Sequence, residues 1–138
     1  MSDSPNFISL PRLERAVLTT ANTNIDGTGV ITPLITGAAV NASITGSTGG
    51  TRVLEIATQC AATSSAANVN IFLSLDGGTT WDLYDQISIT AATSSNTVKA
   101  NRNFTTYTNL VLPNANARLG VTTTISQATR VYAHAGDL

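Results

Sequence analysis

Between two strand-like runs, 69–75 and 81–89, the chain places Asp76-Gly77-Gly78-Thr79-Thr80, a segment with the chemistry of a tight turn. Gly77 and Gly78 supply the positive φ that a short hairpin loop demands. Ser74 and Asp76 carry oxygens for the turn's free amides, and Trp81 stands where an indole can lie over the turn as a lid. Before the turn, Val69, Ile71, Leu73 and Leu75 share one parity, with Asn70, Phe72 and Ser74 on the other. After it, Trp81, Leu83, Ile87 and Ile89 continue a core face interrupted by Asp85, with Asp82, Tyr84 and Gln86 opposite. An apolar face on both partners sets the register, because a one-residue slip would turn every side chain over. The segment is a β-hairpin, and the rest of the fold has to accommodate it.

Ser74, Asp76, Gly78, Thr80 and Trp81 fit the pattern S-x-D-x-G-x-T-W at every fixed position, and the segment resembles the Asp-box hairpin of sialidase propellers. The resemblance implies a turn-stabilising role and no catalysis. A propeller needs several blades of roughly 40 to 50 residues each, so 138 residues with one such box exclude it. The length suits one domain with its own core.

Composition points the same way. About one residue in six is threonine, and only 11% are charged, against about a quarter in ordinary domains. Lys and Glu, which build exposed helices, are scarce, while Thr and Val favour strands. Short strands are expected over 15–20, 28–35, 52–60, 69–75, 81–89, 97–112, 119–125 and 130–133, separated by turns such as Asp26-Gly27 and Pro113-Asn114. Pro33 marks an edge or a bulge. The run 97–112 is too long for one strand and calls for a bend near 101–103 or a break before Leu110. Residues 36–51 are expected as a long loop or a weak edge strand around 39–44. The resulting fold class is all-β: an antiparallel sandwich of about eight strands, jelly-roll-like, over residues 14–138.

Residues 1–13 read differently. Pro5 and Pro11 impose extended geometry, yet Phe7, Ile8, Leu10 and Leu13 are too apolar for a solvated tail. An extended N-terminal arm is expected, with Phe7, Ile8, Leu10 and Arg12 contacting a neighbour. Phe72, Tyr84, Tyr107 and Tyr132 are expected as intersubunit contacts, with a core role in the second sheet as the competing reading.

Catalytic chemistry is thin. His134 is the only histidine, Cys60 the only cysteine, and no nucleophile elbow or phosphate loop occurs. Asp76 is used by its turn, and Asp82 and Asp85 fall on opposite faces of a strand, so no metal site, cofactor or small-molecule substrate is expected. Cys60 reads as a buried small hydrophobe, in keeping with synthesis in a reducing cytoplasm. Seven basic residues are scattered along the sequence and offset by eight acids, so nucleic acid is not an expected partner. No membrane span or secretory leader pattern is seen.

The segments TANTNIDGTG (20–29), GTRVLEI (50–56), SLDGGTTW (74–81), LVLP (110–113) and AGDL (135–138) together resemble small β-sandwich virion proteins of tailed bacteriophages. That resemblance covers most of residues 14–138. It implies a non-enzymatic capsid decoration, or cement, protein on the phage head surface, assembled in the host cytoplasm. Its partners would be the major capsid protein and further copies of itself, as a homotrimer. Two alternatives accompany it: a tail-fibre or baseplate module that binds carbohydrate through Trp81, Tyr84 and Tyr107, and a tail or connector component.

Overall fold

The computed structural model describes residues 10–37, 50–60 and 63–138. In chain order the strands are β1 (Leu10–Leu18), β2 (Thr32–Thr36), β3 (Thr51–Cys60), β4 (Ala67–Ser74), β5 (Asp82–Ile89), β6 (Arg102–Leu112), β7 (Arg118–Thr123) and β8 (Thr129–Asp137). They form two four-stranded sheets, ordered β1-β8-β3-β6 and β2-β7-β4-β5. Every strand pairing is antiparallel. Four of them (β1 with β8, β2 with β7, β3 with β6, β4 with β5) are those of one long hairpin rolled up on itself. The contacts of β8 with β3 and β7 with β4 close the roll. This is a jelly roll, and the Asp76 turn lies at the tip of the rolled hairpin.

Between the sheets, Leu18, Leu34, Val53, Ile56, Val69, Ile71, Ile87, Leu112, Leu119, Val121 and Val131 are buried in one cluster. Each such side chain contributes about 1.5–3 kcal/mol relative to exposure. Cys60 is buried in the same core, with Sγ 3.7 Å from Thr129 Oγ1.

Three irregularities decide which side chains reach that core. Leu54 is an extra residue in β3 between Val53 and Glu55, which face consecutive residues of β8. The bulge turns Val53 inward together with Ile56, although simple alternation sets them on opposite faces. In β5, Tyr84 is the extra residue opposite Ile71 and Phe72, so Leu83 leaves the core face and pairs with Phe72. In β6 the register breaks between Thr106 and Leu110, at the expected position. Leu110 and Leu112 therefore point inward while Phe104 points outward, 60% exposed. Pro33 fits its expectation too, since β2 is an edge strand with a register shift between Pro33 and Ile35.

Polar clasps bridge the sheets along both open sides. On one side, Arg12 Nη1 in β1 donates to the Thr36 carbonyl in β2 at 3.0 Å, to Thr51 Oγ1 at 3.0 Å and to Asp137 Oδ1 at 3.2 Å. On the other, the Tyr107 hydroxyl in β6 donates to Asp85 Oδ2 in β5 at 2.8 Å.

The expected arm needs a correction. Residues 10–13 belong to β1, with Leu10 paired to Asp137 and Pro11 to Gly136, so the sandwich begins at least as early as Leu10. Pro11 is accommodated because β1 is an edge strand and its missing N–H costs no ladder bond on the open side. Phe7 and Ile8 lie outside the described residues, as does the weak strand expected over 39–44.

Candidate interaction surfaces

At the hairpin tip, Asp76 Oδ1 accepts the Thr80 amide at 2.8 Å, the Ser74 hydroxyl at 2.8 Å and the Thr79 amide at 3.1 Å. Ser74 Oγ accepts the Gly78 amide at 2.9 Å. Gly77 and Gly78 stand at φ 76° and 94°, the left-handed region in which a side chain would be strained. The Trp81 indole reaches back over the outer face of β7: a Cβ on Gly120 would sit 3.0 Å from two of its ring atoms and 2.5 Å from Ile31. Ser74, Asp76, Gly77, Gly78, Thr80 and Trp81 are therefore joined in one turn, whose groups are spent on holding it.

The Thr80 amide, and after it the Ser74 hydroxyl, hold the Asp76 carboxyl down at about 2, from an ordinary 3.8. A carboxyl lowered on folding stabilises the fold above its ordinary value and loses that contribution as pH falls through the lowered one. Asp76→Asn is expected to lower the melting temperature at neutral pH and to flatten its decline between about pH 4 and pH 2. Circular dichroism melts across that range check it; an unchanged acid limb would assign the pH dependence to other carboxyls.

The four aromatics expected at subunit contacts separate. Phe72 is fully buried and unavailable to a neighbour. It faces away from the main core, in register with Gly120 and Leu83, where the second sheet's outer surface is covered by Trp81 and Ile31. Tyr107 is half-buried in its clasp, and burial, followed by the Asp85 contact, raises its hydroxyl well above the usual tyrosine range. Tyr84 is exposed, its ring centroid 6.1 Å from that of Tyr107. Tyr132 lies half-buried on the outer face of the first sheet. Arg12, expected on the arm, is also withdrawn from contact: its side chain is 7% exposed, between Glu14 and a fully buried Asp137.

The first sheet's outer face carries an arrangement that sequence order conceals. Register places Arg15, Tyr132, Ala57 and Phe104 in one row across β1, β8, β3 and β6. The row on one side reads Val17, Arg130, Gln59 and Arg102, and the row on the other Leu13, His134, Glu55 and Thr106. Arg52 lies at the rim, with Nη2 on the Thr108 carbonyl at 3.0 Å. Four of the seven basic residues thus meet on one face with a single acid, Glu55, which pairs with Arg102 at 3.7 Å. Leu13 and Val17 are exposed among them, and Ala57 is fully buried between Tyr132 and Phe104.

Three acids lie off this face, with Arg118 beside them at Gly78. Asp26, Asp76 and Asp82 are exposed near the hairpin end of the second sheet. Asp26 Oδ1 accepts the Thr28 amide and hydroxyl, and a Cβ on Gly27 would strike the Trp81 carbonyl. Asp85 points to Tyr107 instead of joining them. Among the described residues no group of His, Cys, Asp and Glu is arranged to hold a metal ion, and no helix is long and apolar enough to cross a membrane. A cavity of about 460 Å³ lies between the end of β1 and residues 21–30, walled by Leu18, Thr20, Asn22, Val30 and Thr122 with no titratable side chain. The chain matches no protein-family model and no curated protein.

Proposed function

We propose that the protein is a non-enzymatic virion subunit of a tailed phage, a decoration protein that joins the head shell as a closed oligomer and stiffens it. The observation that carries this reading is the outer face of the first sheet. Single exposed apolar residues are ordinary, but Leu13, Val17 and Phe104 share one rigid face with Tyr132 and four arginines. Aromatic residues and Arg are the types enriched at protein interfaces, where Lys and Glu are depleted. The architecture is compatible: jelly rolls recur in viral shells and in lectins, so the surface has to discriminate between them.

A carbohydrate module has less support. Trp81 is turned onto Gly120 and Tyr107 is tied to Asp85, which leaves Tyr84 as the stacking platform of the three. A tail or connector position differs in copy number. Quantitative mass spectrometry of purified particles is expected to find hundreds of copies each; a few to dozens would move the protein to the tail, and none would refute the reading.

A further inference from the structure

We infer that the outer face of the β1-β8-β3-β6 sheet docks on a protein surface bearing carboxylates, the chemistry the shell would present in the reading above, on which this inference rests. Charge complementarity selects the occupant. Arg15, Arg52, Arg102 and Arg130 come from four different strands, and the antiparallel register alone assembles them. Glu55 offsets one of the four, so the face is net basic on a chain whose formal net charge is −1.

A second copy set face to face would oppose arginine to arginine, which is repulsive. A second copy set head to tail would bring Asp26, Asp76 and Asp82 to the arginines, but Asp26 and Asp76 are already engaged in their own turns. Such a contact joins two different patches and closes into a ring only at a fitting rotation, and Asp82 alone would be left to hold it. Nucleic acid is disfavoured by arrangement: Gln59 separates Arg130 from Arg102, and Glu55 sits against Arg102, so no continuous basic track follows a phosphate backbone. Arginine's planar fork matches a carboxylate bidentately, and Phe104 and Leu13 supply apolar area beside it.

Size sets the strength. Four strands about 4.8 Å apart and about 30 Å long make a face of roughly 450 Å², short of the roughly 800 Å² that each partner of a stable complex buries. One copy should therefore bind weakly, and joined copies should gain by avidity.

The test uses the full chain, with fluorescence anisotropy against a random copolymer of glutamate and tyrosine and against oligo(dT), and co-sedimentation with particles that lack the protein. Arg15→Gln/Arg130→Gln is compared with Val30→Glu/Ile25→Glu, which makes the same charge change at exposed positions off this face. The arginine pair is expected to weaken copolymer and particle binding at least about tenfold and to reduce its salt dependence, with unchanged melting. Phe104→Ala should weaken binding without altering the salt dependence. Copolymer binding without particle binding would support the inference while removing the virion reading. The inference is overturned if oligo(dT) is preferred, if both charge variants lose binding equally, if the arginine variant binds normally, or if the wild type binds neither protein probe.

Discussion

Arg12→Met is expected to destabilise the fold by about 3–5 kcal/mol, the cost of removing one partner from a buried ion pair. Asp137 is fully buried at the end of β8, and Arg12 Nη1 stands 3.2 Å from its Oδ1. The same nitrogen also bonds Thr51 and the Thr36 carbonyl, so its loss loosens the join between the sheets as well. The melting temperature should fall on the order of 10 °C. Arg12→Met/Asp137→Leu should recover much of that loss, because two apolar groups leave no carboxylate without its guanidinium. Removal of residues 1–13 should be as harmful as the single change, since it strips nearly half of β1 along with Arg12. Thermal melts of these forms decide the point: a variant that melts like the wild type would return Arg12 to a contact role.

Phe72→Ala is expected to cost about 3–5 kcal/mol as well, by leaving a cavity beneath Trp81 where the second sheet's outer surface is closed. The loss should be independent of protein concentration, because a fully buried ring has no neighbouring subunit to touch. Tyr84→Ala, at an exposed site, should cost far less. An unchanged melt combined with weakened self-association would instead identify Phe72 as a subunit contact.

Both predictions arise where a plain reading of alternation and the folded chain part company. Hairpin, turn chemistry and sandwich class were legible because Ser74, Asp76 and Trp81 act within a few residues of one another. The break before Leu110 and the edge position of Pro33 were legible for similar local reasons. Bulges were not: Leu54 and Tyr84 carry nothing in their types that marks an extra residue, yet each reverses the parity of the residues beyond it. Phe72 looked free for another reason: nothing near it in sequence announces that Trp81 and Ile31 cover the outer face beside Gly120. Pro11 suggested a tail because a proline argues against a central strand, a rule that lapses at the open edge of β1. The basic face was hidden for a topological reason. Arg15 and Arg130 are far apart in sequence, and they flank Tyr132 and Val17 only because the long hairpin pairs β1 with β8.

Imaging purified particles at subnanometre resolution tests the central claim most directly. The account predicts sandwich density on the head shell, with Phe104, Tyr132 and the arginines turned toward the shell and the Asp76 hairpin outward. Density with the hairpin inward, or particles that carry no such sandwich on the shell, would contradict it.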